Sequence, residues 1–274
     1  KVVAMGEEDN PVPITNFAAT LVCEEYGDDG TGNRERHVRV RGKMSNGIAL
    51  PEISVPTKDW ANIKQWLHKG WGFRPVIYSD EKFVLQCLAL QGQDAPERVS
   101  YTHTGWIQTE DGRWQFLTPK GPRGGVVSQE QFAEGSRVAT PDELRSYDIP
   151  ESCTEAEALE AYTWLETLME AGDMRATAPI VATMFLAPLA SFLNIDFALF
   201  VTGHTGTHKS SLVAAAMAVW GPRWSKDRLP ISFNATANAM EMLGFQAKDL
   251  PLPIDNYVPD AKGEAARSLK RICV

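Results

Sequence analysis

The residues best suited to chemistry lie between Gly203 and Ser211, GHTGTHKSS. Against the spacing G-x-x-x-x-G-K-[S/T], Gly203 is the first glycine, Lys209 the lysine and Ser210 the hydroxyl that would ligate magnesium. Backbone N–H groups of such a loop converge on an anion, so phosphates would lie over Thr205, Gly206, Thr207, His208, Lys209, Ser210 and Ser211. Lys209 would stand against the β- and γ-phosphates as a point charge. His208 occupies the place of the second glycine, where a side chain would weaken or reshape the site, and Gly206 supplies some of the lost freedom. Gly, Lys and Ser alone are an unspecific match, and an ordinary strand-to-helix turn is the alternative.

A second candidate lies downstream in LPLPIDNY, Leu250 to Tyr257. An apolar strand ending in Asp255 has the form of a Walker B strand, whose carboxylate holds magnesium opposite Ser210. Without that role Asp255 is a turn aspartate. Asn256 follows at the position where an acid would activate the attacking water, and an amide cannot accept that proton. Lys209, Asp255 and Asn256 are thus the candidate catalytic positions, and ATP with magnesium the expected cofactors.

These residues need elements to position them. Phe197–Val201, FALFV, reads as a fully buried strand of a parallel sheet. The Ala-rich stretch from Lys209 to Trp220 reads as a helix, with Leu212, Ala215, Ala216 and Val219 at helical spacing. Asp255 lies 46 residues beyond Lys209, room for a strand at Pro230–Phe233 and a helix capped by Thr236 and running to about Lys248.

Upstream, residues 1 to about 12 read as a flexible lead, and Ile14–Tyr26 and Glu35–Met44 as strands joined by the turn Gly27–Asn33. Arg39, Arg41 and Lys43 alternate with smaller residues on one face, just after Arg34, Arg36 and His37. This is either a strand that follows a nucleic-acid backbone or an edge strand protected by charge. Thr57–Gly70 reads as a helix capped by Thr57, with Trp60 and Trp66 on its stripe; with Trp71, these are stacking platforms or core. Glu81–Gln91 reads as a helix, and Tyr101–Phe116 as a hairpin turning at Glu110–Gly112. Thr154 with Glu157 is a capping box opening a helix to about Gly172, and Thr177 and Pro179 open an apolar core helix.

Hydrophobic residues are 43% and charged residues 23% of the chain, which are globular proportions. A net charge of -8 excludes a histone-like binder but not a local basic groove. The four cysteines show no metal or disulfide spacing, which suggests a reducing cytoplasm, and the most apolar run, Ala178–Leu193, is too short to span a membrane.

Several stretches together resemble the family called domain of unknown function 927, predicted helicase-like ATPases of phages, plasmids and other mobile elements. They are ITNFAATLVCEE, YTHTGWIQTEDGRWQFL, IPESCTEAEALEAYTWL, TAPIVATMFLAPL, FALFVTGHTGTHKSSLVAAAMAVWG and TANAMEMLGFQAKDLPLPIDNYVP. Two hairpins and two helices, with the Gly- and Pro-bearing stretch Pro119–Gly125 leading out, read as an α+β N-terminal domain over residues 1–148, to which the resemblance adds the second domain. An α/β P-loop NTPase domain of the RecA or AAA+ kind follows over 149–274, expected to be truncated after the Walker B strand. It carries Gly203, Gly206, Lys209, Ser210 and Asp255 across as nucleotide and magnesium positions. It further implies a replicative helicase or translocase that assembles as a hexamer-type homo-oligomer. The expected partners are single-stranded DNA or RNA and a primase module, with no membrane. The alternative is a non-hydrolysing module that binds nucleic acid or a partner, its nucleotide site degenerate at His208 and Asn256.

Overall fold

The computed structural model describes residues 3–5, 11–32, 34–109, 112–123, 136–195, 197–258, 266–267 and 270. They form a mixed α+β protein of two compact units, Lys1–Ser100 with Ala133–Arg137, and Tyr101–Phe132 with Val138–Val274. The expected division at 148/149 therefore differs from the observed one. Among the described residues no helix is long and apolar enough to cross a membrane.

In the first unit, β1 (Val3–Met5) pairs antiparallel with β2 (Pro11–Pro13), where a flexible lead was expected. The long strands β3 (Phe17–Asp28) and β4 (Arg34–Met44) form the expected hairpin. A further strand unread in the sequence, β5 (Ala49–Pro56), pairs with the other side of β4. β4 is therefore interior, not the edge strand considered as one reading. Next come α1 (Ile63–Trp71) and α2 (Glu81–Gln91), whose Ile63, Trp66, Leu67, Val84 and Leu88 pack with Phe17, Val40 and Val55 into one core. The cap of α1 is Asn62, whose side chain accepts from the Gln65 N–H. Thr57 instead begins a short 3-10 turn and donates its hydroxyl to the Arg36 carbonyl. Trp66 and Trp71 are buried, so they serve the core rather than a stacking platform. The sheet is completed by β6 (Glu97–Tyr101), beside β3, and later by β10.

The second unit opens with an antiparallel meander, β7 (Gly105–Gln108), β8 (Trp114–Thr118) and β9 (Gly121–Arg123). The expected turn residues Glu110 and Asp111 lie outside the described residues. After β10 (Arg137–Val138) and a 3-10 turn at Asp142–Leu144, α3 (Glu155–Glu170) starts at the expected capping box. α4 (Met174–Leu186) is capped by Asp173 rather than opened by Thr177, and it holds Pro179 within its second turn. It gives way to a 3-10 turn at Ala187–Leu189, and Phe185, Phe192 and Leu193 stay exposed, so only part of the apolar run is core. Then follow α5 (Lys209–Ala216), β11 (Ile231–Ser232), α6 (Ala237–Gln246) and β12 (Ile254–Asp255), with β11 and β12 parallel. Phe116, Tyr147, Met184, Met217, Trp220 and Leu243 share the core of this unit.

That core explains where the chain divides. Phe116 of β8 meets Trp106 at 5.1 Å and Trp220 at 6.0 Å between ring centroids. Thr104 donates its N–H to the Gln246 carbonyl at 2.9 Å and its hydroxyl to the Lys248 carbonyl at 2.9 Å. The hairpin buries its aromatic side against the helices that follow it, which a boundary read from local composition misses.

Candidate functional site

The glycine loop leads directly into α5. Thr207 donates its hydroxyl to the His204 carbonyl at 2.8 Å, closing a tight turn, and Gly206 at its centre has φ +87°. That conformation suits glycine, which has no Cβ to clash. His208 takes the left-handed conformation too, φ 58° and ψ 24°, and its carbonyl accepts from the Leu212 N–H to start the helix. Histidine thus holds a backbone shape that glycine takes without strain, at a conformational cost of about 1 kcal/mol. Its side chain is exposed.

Lys209 folds back over the loop. Its ammonium donates to the carbonyls of Gly203 at 2.9 Å and His204 at 2.8 Å, and lies 3.4 Å from the Thr207 hydroxyl. This holds the ammonium against the loop's own backbone. Ser210, one residue into α5, donates its hydroxyl to Asp255 Oδ1 at 3.0 Å. The two lie 45 positions apart in the chain, and the fold places them in contact. Hydroxyl and carboxylate oxygens are the hard donors that magnesium takes, so the pair fits that ion in its chemistry.

Asp255 is presented by β12. Ile254 and Asp255 run beside Ile231 and Ser232, and Phe233 donates its N–H to the Asp255 carbonyl at 2.9 Å. Asn256 follows with φ 59°, turning the chain directly after the carboxylate. Tyr257 then packs edge-on against Phe233 at 4.9 Å and Phe200 at 5.6 Å.

One expected element is different. Phe197–Val201 is not a strand, and Phe197 and Phe200 are 59% and 47% exposed rather than buried. Its backbone has no ladder partner among the described residues, while β11 and β12 pair with each other. The buried parallel strand read from FALFV is corrected to a segment outside any strand, with Phe197, Leu199 and Phe200 exposed and Val201 packed against the core.

The cations of β4 are also placed differently from a nucleic-acid track. Arg34 lies 3.3 Å from Asp28, Arg36 pairs with Glu24, and Arg39 lies 2.7 Å from Glu52 and 3.7 Å from Glu25. Arg41 and Lys43 are exposed, and no carboxylate pairs with either among the described residues. A bulge in β3 between Leu21 and Cys23 decides which β3 carboxylate joins Arg39. One extra residue turns Glu25 onto the face of Arg39, where it also meets Arg137 at 3.0 Å.

Two residues passed over in the sequence also belong here. Ser232 is the register partner of Asp255. Asp249, whose side chain is 2% exposed, accepts hydrogen bonds from three segments. Neither sits in a recognisable motif. For Asp249, the K-D pair after a helix resembles many surface turns.

With this geometry in place, comparison with known families assigns the chain. It belongs to the family described as "Domain of unknown function (DUF927)", whose family model matches residues 76–268. The match begins before β6 and covers the hairpin, the glycine loop and Asp255. No curated protein matches the chain.

Proposed function

We propose that the second unit binds Mg-ATP as a P-loop NTPase, and that the chain is the ATPase part of a helicase- or translocase-like replication protein of a phage or other mobile element. The observation that carries this reading is the Ser210–Asp255 contact at 3.0 Å beside Lys209. In this reading Gly203 to Ser211 form the phosphate cradle. Lys209, now on the loop carbonyls, would be the residue to meet phosphate oxygens, and Ser210 and Asp255 would hold magnesium. The bound ion would supply charge neutralisation at the β- and γ-phosphates. Asn256 is an amide and takes no proton from water, so its part is limited to orienting.

Family resemblance supports the remaining roles. They are hexamer-type assembly, movement along single-stranded DNA or RNA, and linkage to a primase module. A second reading is a module that binds nucleotide without turnover, and the observation favouring it is Asn256 directly after Asp255.

Calorimetric titration of the full chain with ATP and magnesium tests the proposal. The unsubstituted chain is expected to bind. Lys209→Ala should weaken binding by roughly a hundredfold, about 2.7 kcal/mol, while Ser210→Ala should mainly remove the gain that magnesium confers. A folded chain that binds no nucleotide at millimolar concentration, or a Lys209→Ala variant that binds normally, rejects the site. Bound nucleotide with no phosphate release, with or without single-stranded DNA, selects the second reading.

A further inference from the structure

We infer that Asp249 is a positioning residue for the Asp255 site, holding together the two stretches of chain that approach it. The carboxylate lies six residues before Asp255, in the connection from α6 to β12. Its Oδ2 accepts from the Trp106 N–H at 2.9 Å, from the Ser191 hydroxyl at 2.7 Å and from the Lys248 ammonium at 3.0 Å. Its Oδ1 accepts from Ser191 at 2.8 Å. Trp106 belongs to β7, and Ser191 belongs to the stretch leading to the glycine loop. One buried anion therefore joins the hairpin, the approach to Gly203 and the approach to Asp255.

The surroundings are built for this carboxylate. Asp249 has φ 58°, a backbone form that non-glycine residues adopt at a cost, and its hydrogen bonds offset that cost. Gly105 has φ +89°, and a Cβ there would stand 2.4 Å from Asp249 Oδ2 and 2.6 Å from the Lys248 carbonyl. Only glycine lets β7 come this close. Lys248 donates to the Trp106 carbonyl at 2.7 Å, and the Trp106 indole N–H donates to the Pro188 carbonyl at 2.7 Å, so the hairpin holds the approach to Asp255 by two hydrogen bonds and the approach to Gly203 by one. Beyond Asp249, Tyr147 donates its hydroxyl to the Pro251 carbonyl at 2.6 Å. Pro251 and Pro253 stiffen the few residues left before β12, so the place of Asp249 is passed on to Asp255. That Asp255 then holds magnesium rests on the nucleotide-binding proposal, but the positioning itself does not.

The test uses the full chain and Asp249→Asn. An amide keeps the size but turns a donor toward groups that all donate to this carboxylate. Without nucleotide, hydrogen–deuterium exchange is read at the Phe233 amide, bonded to the Asp255 carbonyl, and in the β3–β4 ladder as an internal reference. The Phe233 amide should exchange about tenfold faster in the variant and the reference ladder unchanged. ATP affinity is then measured with manganese and with EDTA. The metal-dependent gain should fall about tenfold and the affinity in EDTA change less than about twofold, a split that general loosening would not produce. Should Asp249→Asn not fold, Ser191→Ala removes one donor and is read the same way.

Unchanged Phe233 exchange in a folded variant overturns the inference, whatever the nucleotide result. Equal losses with manganese and with EDTA overturn it too, by making Asp249 an ordinary core group. Faster Phe233 exchange in a chain whose unsubstituted form binds no ATP supports the positioning and removes only the nucleotide reading.

Discussion

His208 occupies the left-handed conformation at the start of α5, and this decides how the departure from the phosphate-loop pattern matters. The missing glycine is replaced by backbone geometry, since His208 takes the positive φ itself and its side chain stays exposed. His208→Gly removes the strain of about 1 kcal/mol but gives the unfolded chain more freedom, worth a similar amount. The melting temperature of this variant should therefore shift little, by less than about 3 °C. Any gain in ATP affinity then measures the effect of the imidazole on the phosphates directly. A large loss of stability would mean that the histidine side chain, not only its backbone, holds the loop.

Among elements, the segment after the 3-10 turn at Asp142–Leu144 does the most joining. Tyr147 lies buried beside Trp220 and Trp224, and burial pushes its phenol far above the usual value, so it stays a neutral donor to Pro251. The next residue, Asp148, donates its N–H to the Trp220 carbonyl and pairs its carboxylate with Lys120 in the β8–β9 turn. Hydrogen bonding from Lys120 holds the Asp148 carboxyl below its ordinary 3.8. A carboxyl whose folded pKa is lowered adds stability above the unfolded value and loses it as pH falls through the folded one. Lys120→Met should therefore melt below the unsubstituted chain at neutral pH, by a small amount because the pair is exposed. The gap should close as the pH drops below about 3.8. Thermal melts of both chains from pH 2 to 7, each tested for reversibility, check the sign; a gap that widens in acid refutes the pairing.

For the whole molecule, a net charge of -8 sets the conditions under which it would meet a nucleic acid. With Arg34, Arg36 and Arg39 matched to carboxylates, Arg41 and Lys43 are the β4 cations left to attract phosphates. If this strand binds a single strand, Arg41→Gln with Lys43→Gln should lower the slope of log affinity against log salt by about 1.4, the value for two phosphate contacts. Arg39→Gln should instead leave the slope unchanged and destabilise the first unit, because Glu52 loses its partner and Glu25 is left with Arg137 alone among the described residues. Oligonucleotide titrations at several salt concentrations separate these outcomes. A slope unaffected by the double substitution would take β4 out of any nucleic-acid interface.

What the sequence determined by itself is local. The capping box at Thr154 and Glu157, the limits of α2, the β3–β4 hairpin and the glycine loop before α5 depend on residues within a few positions of one another. Their signals survive in any fold. The approach of Asp255 to Ser210 could be expected from motif order, although its distance could not. Tertiary structure alone decided which unit owns the hairpin, since the acceptors of Thr104 are the carbonyls of Gln246 and Lys248, more than a hundred residues away. It also decided that a one-residue bulge brings Glu25 to Arg39, and that Phe197–Val201 joins no ladder among the described residues while β11 takes β12. Pairing of distant backbone groups and burial of a shared apolar face are choices among alternatives spread over the whole chain. No short stretch of residues records which alternative has the lower free energy.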